Sequence, residues 1–267
     1  CLSFLNEKNL NKFFVFLLAF CSIFGYWTLQ RNVEWQQPAN FWNIEKSRYG
    51  MTGRTVNNYL RNAYDVNGID NRMLEDLNSA LEIANEKEKQ SLLFNKAYFL
   101  YMNGDLKQSL KTLNSLRQEF GYFEYTPYLL GILYIELEKY REVESLIERL
   151  SNKEEYFSFQ GKLIQAELLF ARSEYEQAIQ FLQKQYSKLG TGKIRERTLY
   201  HDLLARLYSI TGQIEKAYEQ YHMITQLDPE AYLAWKQIYK MLLMGDDVKN
   251  AEKIKLYLES KGIQVEY

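Results

Sequence analysis

LLARLYSITGQIEKAYEQYHMITQLDP, Leu203 to Pro229, decides the fold. Leu204 and Ala205 precede Tyr208, Gly212 makes a turn, Ala217 and Tyr221 follow it, and Pro229 closes the stretch. Apolar residues three and four apart mark an amphipathic helix on each side of the glycine. A small residue on each helix lets the two cross closely, and the large ones nearby fill the seam. The result is a helical hairpin with one apolar face left over.

The same unit recurs upstream. LLGILYIELEKYREVESLIERL, Leu129 to Leu150, carries Leu130, Gly131 and Tyr134, a turn at Glu138, then Tyr140, Val143, Ile147 and Leu150. AELLFARSEYEQAIQFL, Ala166 to Leu182, carries Ala166, Leu169, Tyr175, Ala178 and Ile179. Aligned on these positions, six units start near Arg54, Gln90, Glu124, Phe159, Thr198 and Tyr232. They are spaced about 34 to 39 residues apart, with the largest insertion around KLGTGKIRER. The second unit supplies Ala97, Gly104 and Ser109, and the sixth supplies Trp235, Asp246 and Ala251. Met73 stands in the first unit where a small residue is expected. Lys249, Lys253, Lys255, Glu259 and Lys261 give the last helix the polar outer face that an end unit needs.

These units resemble the tetratricopeptide repeat, a helix–turn–helix with small residues at its eighth and twentieth positions. The resemblance implies an all-α fold, a right-handed α-solenoid of about six helix pairs over residues 54–267. It says almost nothing about chemistry. It also implies that positions 2, 5, 9 and 12 of each first helix line a concave groove. The candidate partner-binding residues are then Phe94, Tyr98, Tyr101, Tyr125, Tyr128, Ile132, Glu167, Phe170, Asp202 and Arg206. An aromatic middle followed by a charged end suits an extended or helical peptide, or a sugar ring; the expected partner is a protein or peptide. Repeats that clamp a chaperone's C-terminal carboxylate use lysine, arginine and asparagine. Asn62 and Asn95 fit, but Asn58, Tyr125 and Leu129 hold the cationic positions, which removes the attraction for carboxylate.

A second signal lies upstream. Phe13 to Leu29 is uncharged and about 25 Å long as a helix, close to a ~30 Å hydrocarbon core. Tyr26 and Trp27 sit near its end, where interfacial aromatics belong. The expected organisation is a polar flank over 1–12, a transmembrane helix over 13–30, an interfacial linker helix over 31–53 and the repeats. Trp27, Trp35, Phe41 and Trp42 are the candidate membrane-interface residues, and Pro38 is tolerated in the linker helix's first turn.

The junction resembles that of GT-C type membrane glycosyltransferases with C-terminal tetratricopeptide arrays, the O-mannosyltransferase-like enzymes. Arg31, Asn32, Trp35, Phe41, Trp42 and NNYLRNAY (Asn57 to Tyr64) carry the resemblance, with Arg61 in place of a usual glycine. It implies that the chain, which begins with Cys1, is the C-terminal part of a larger enzyme. It also implies that the repeats lie on the periplasmic or lumenal side and that the catalytic loop lies elsewhere. The alternative is a single-pass scaffold that organises an envelope or secretion complex without enzymatic activity.

Composition bounds the rest. There are 33 basic and 34 acidic residues among 267, which argues against a nucleic-acid partner. Two cysteines and two distant histidines, His201 and His222, give no metal-ligand spacing, so no metal or cofactor site is expected. LGTGKIRER, Leu189 to Arg197, lacks the Ser or Thr and the first Gly of a phosphate loop and reads as a loop between units. No nucleophile stands at a recognisable distance from a base.

Overall fold

The computed structural model describes residues 7–35, 38–50, 52–56, 58–60, 71–151, 155–189 and 193–265. Two helices lead: α1, Glu7–Trp35, and α2, Pro38–Tyr49. Short helical stretches over 53–56 and 58–60 and α3, Asn71–Ile83, come next. Five helix pairs complete the chain. They are α4 Glu86–Met102 with α5 Leu106–Phe120, α6 Thr126–Glu136 with α7 Tyr140–Ser151, and α8 Glu155–Ala171 with α9 Tyr175–Leu189. Then come α10 Ile194–Ile210 with α11 Ile214–Leu227, and α12 Tyr232–Met244 with α13 Val248–Ser260. There is no strand among the described residues.

The turn within each pair is one recurring device. Gly104, Glu138, Ser173, Gly212 and Asp246 all have positive φ, between 56° and 80°. The next residue's N–H reaches a carbonyl five residues back: Asp105 to Leu100 at 2.9 Å, Lys139 to Tyr134 at 2.7 Å, Glu174 to Leu169 at 2.9 Å, Gln213 to Tyr208 at 2.8 Å and Asp247 to Leu242 at 2.9 Å. This is the Schellman ending, which satisfies the last carbonyls of the first helix and reverses the chain. Asp105 and Asp247 then cap the next helix, each accepting a backbone N–H at 3.2 Å, from Gln108 and Asn250.

The small residues of the sequence pattern lie where the helices cross. Ala97, Ser109, Ala166, Ala178, Ala205 and Ala217 have no exposed surface. Gly131 is the tightest: a Cβ built there would stand 2.6 Å from the Ile164 side chain, so α6 and α8 touch only because Gly131 has none. The Ser109 hydroxyl donates to the Ala97 carbonyl at 2.6 Å and fixes the crossing of α4 and α5. Around these contacts Leu113, Leu116, Leu130, Leu133, Leu146 and Leu150 are buried in a shared core. Each contributes about 1.5–3 kcal/mol by leaving water.

Helix bounds differ from the expected unit starts. α4 begins at Glu86 rather than near Gln90, and α8 at Glu155 rather than near Phe159. The Asn85 capping box, with Glu88 as its reciprocal partner, starts α4 early. Helices reach into LGTGKIRER from both sides: α9 runs to Leu189 and α10 starts at Ile194. Its Gly190, Thr191 and Gly192 lie outside the described residues, as do Arg61 and Asn62.

α1 stands apart from this packing. Lys12–Trp35 is one helix apolar and long enough to cross a membrane by length and composition, and none of it is buried. A four-charge cluster joins its end to α2. Arg31 bonds Glu34 at 3.0 Å and Glu45 at 2.8 Å, Arg48 bonds Glu34 at 2.9 Å, and Arg31 also lies over the Phe41 ring. α2 is tied to the repeats through Lys46, which pairs with Asp76 at 2.5 Å and sits over Tyr59.

Candidate functional site

The first helices of successive pairs touch in order, α4 to α6, α6 to α8 and α8 to α10. The second helices contact each other little. The closer layer is the inner curve, so the first helices form the concave wall, with side chains at a helical repeat pointing into it.

The expected lining residues divide in two. Tyr98, Tyr101, Ile132, Phe170, Asp202 and Arg206 keep part of their surface exposed. Phe94 and Tyr125 are 6% and 7% exposed and belong to the core. Tyr125 is withdrawn from the groove because it precedes α6 and lies 4.1 Å beneath the Arg195 guanidinium.

At the centre, three repeat units converge. The Tyr128 hydroxyl of α6 donates to Glu167 Oε1 of α8 at 2.7 Å. Arg206 of α10 donates through Nη2 to the same oxygen and through Nε to Asp202 Oδ2 at 3.1 Å. The Arg206 guanidinium also lies 5.4 Å from the Phe170 ring centroid. Glu167 is 6% exposed, while the Asp202 side chain keeps 47% of its surface.

Burial pushes the Tyr128 phenol well above its ordinary pKa, and the Glu167 charge adds to this, so it remains a donor. Burial works against the charged Arg206, but Glu167 and Asp202 overcome it and hold its pKa up. Asp202 is raised, first by burial and then by Glu167, with Arg206 opposing. The groove walls explain this at a half-exposed carboxylate: they remove much of the surrounding water without covering the group.

The network carries two acids and one base, and its bonds to the acids use two of the five guanidinium N–H donors. It can hold polar groups of a bound chain. Among the described residues no group of three or more His, Cys, Asp or Glu side chains could hold a metal ion. His201 is buried with Nδ1 2.8 Å from Gln220 Oε1, and His222 is exposed. Burial lowers the His201 pKa despite that bond.

Toward the N-terminal units the groove deepens into a cavity of about 830 Å³. Its lining includes Phe94, Asn95, Tyr98 and Met102 from α4, and Ile194, Arg195 and Leu233 from the far end. The far-end residues escaped the sequence reading. Leu233 holds position 2 of the sixth unit, so extending the positional rule by one unit reaches it. Ile194 and Arg195 carried no such signal, because their stretch read as a loop.

At the other end of the chain Trp27 and Trp35 are 62% and 65% exposed. Trp35 meets Phe41 at 5.7 Å between centroids and Phe41 meets Trp42 at 5.0 Å, an aromatic cluster at the α1–α2 elbow.

No protein-family model and no curated protein matches the sequence. Solved structures do match. A tetratricopeptide repeat protein from Parabacteroides merdae superimposes with a TM-score of 0.50 at 19% identity, covering 83% of each chain. The thermophilic TPR protein TTC0263 from Thermus thermophilus gives 0.50 at 17% identity, over 72% of this chain and 100% of that one. The fold is a tetratricopeptide-repeat solenoid. Its inner helices are therefore α4, α6, α8, α10 and α12, and the Tyr128–Glu167–Arg206–Asp202 network sits midway along the tetratricopeptide groove.

Proposed function

We propose that this chain is a membrane-tethered tetratricopeptide interaction module that binds a protein or peptide partner in its concave groove. The observation that carries this is the central network, where Tyr128, Glu167, Arg206 and Asp202 from three units converge on one inner surface. A purely structural seam would be filled with apolar side chains at less desolvation cost. Part-exposed aromatics beside the network, Tyr98, Tyr101 and Phe170, supply anchoring area.

The exposed apolar surface of α1 supports the tether, since an unpaired helix of this kind is poorly tolerated in water. A finer reading makes the module the C-terminal part of a GT-C type glycosyltransferase, with the groove on the periplasmic or lumenal side receiving acceptor proteins. It rests on Arg31, Trp35, Phe41 and Trp42, the junction residues of that resemblance. These same side chains build the elbow that sets the direction of α1 against α2. A repeat platform that presents acceptors to a membrane enzyme needs such a fixed elbow.

Two experiments test the proposal. Alkaline extraction of membranes from expressing cells leaves the chain in the pellet; release into the supernatant contradicts the tether. Arg206→Ala in the full chain cuts partner co-purification at least tenfold with helicity unchanged; undiminished co-purification contradicts the groove.

A further inference from the structure

Two ends of the solenoid face one cavity, and the side chains they place there include large apolar ones that keep a third or more of their surface exposed. Tyr98 and Met102 stand on the α4 wall, 37% and 38% exposed. Ile194, at the start of α10, and Leu233, on α12, stand on the opposite wall, 56% and 50% exposed. Phe94 forms part of the lining. Large apolar side chains gathered from distant parts of a chain around one opening mark a surface that another molecule covers.

A second observation comes from the backbone. Glu124 has φ +40°, a strained conformation for this residue, and it lies between α5 and α6, outside the recurrent turns. The fully buried Gln160 enforces it: its Nε2 donates to the Glu124 carbonyl at 2.9 Å while its Oε1 accepts the Tyr128 N–H at 3.1 Å. Strain held this way gathers at binding sites. Glu124 lines the cavity, and its carboxylate makes no ion pair or hydrogen bond among the described residues. Asp228 lines it as well. Arg195, the base among the described lining residues, is stacked over Tyr125. Two acids against one base favour a cationic ligand group.

We propose that this cavity is the anchor site for the partner: a peptide segment whose large apolar side chain enters between Tyr98, Met102, Ile194 and Leu233. A neighbouring lysine or arginine of the same segment reaches Glu124 and Asp228. The assignment rests on the reading of the concave face as an interaction surface and gives it a sequence preference.

The test is a random heptapeptide display selection against the full chain in detergent micelles, followed by binding of the strongest clone as a fluorescent synthetic peptide. Selected peptides pair Leu, Ile, Met or Phe with an adjacent Lys or Arg. Ile194→Ser with Leu233→Ser weakens binding at least tenfold, and Glu124→Gln at least threefold. Both apolar positions are half-exposed, so helicity by circular dichroism stays unchanged. Peptides that are lost with Arg206→Ala but not with the Ile194 and Leu233 changes overturn the anchor site and leave the groove reading intact. Selected peptides rich in acids overturn the charge assignment. No enrichment at all overturns both readings.

Discussion

Replacing Glu138 and Ser173 by glycine should stabilise the array, against the usual cost of glycine near a helix. Both residues hold the left-handed position of the Schellman turn, at φ 56° and 60°. For a residue with a Cβ that conformation costs roughly 1–2 kcal/mol. Glycine removes the strain but gains freedom in the unfolded chain, which offsets about 0.5–1 kcal/mol. The net gain is about 0.5–1 kcal/mol per site, a rise in Tm of roughly 1–4 °C in an array of this size. The two turns lie in different units and share no partner, so the double variant should show nearly the sum. Asp246, at φ 57°, should gain least, because aspartate tolerates this conformation better. Gly212→Ala, at φ 74°, is the control and should lose about 1 kcal/mol. Thermal melts of the full chain in detergent, followed by circular dichroism at 222 nm as an approximate helix band, provide the readout. If Glu138→Gly and Ser173→Gly both lower the melting temperature, the turns are not left-handed and the assigned register of the units is wrong.

Three further outcomes follow from packing and charge. Gly131→Ala should destabilise by about 1–3 kcal/mol in the same melts, because its Cβ would press on Ile164, and Ile164→Ala should recover part of the loss. Arg206→Ala strands the buried Glu167; the expected cost is about 2 kcal/mol by urea unfolding, below the roughly 3–5 of a fully buried pair because the Arg206 side chain stays 37% exposed. Asp202 has a folded pKa above its unfolded value, so the folded state binds its proton more tightly. Its contribution is greatest at low pH and declines as pH rises from the ordinary aspartate range through the raised value. Asp202→Asn should flatten that decline in a pH series of melting temperatures; an unchanged slope would place the dependence on another group.

The solenoid was legible because its crossing points tolerate only small side chains. Ala97, Gly131, Ala166, Ala205, Ala178 and Ala217 mark them in the sequence, and all are buried. Glu167, Asp202 and Arg206 were legible as lining residues by position, though nothing local showed that they would share one network with Tyr128. By its position in the unit Tyr125 is a groove anchor, yet its ring is covered by Arg195, roughly two repeat lengths further along the chain. The cavity between the ends of the array was illegible for a related reason. It depends on how far the stacked pairs curve, and curvature accumulates from small rotations that no single unit encodes. Three of the five turns also lack glycine, so the turn at Ser173 announces itself less plainly than the one at Gly212.

The most direct test of the central claim is a photo-crosslinking scan of the full chain in expressing cells. The photoreactive residue is placed at Tyr98, Ile132 and Ser209 on the inner helices and at Lys111, Glu142 and Glu176 on the second helices. The account predicts partner adducts at the first three positions and little at the second three. Adducts confined to the second three, or equal at all six, would contradict it.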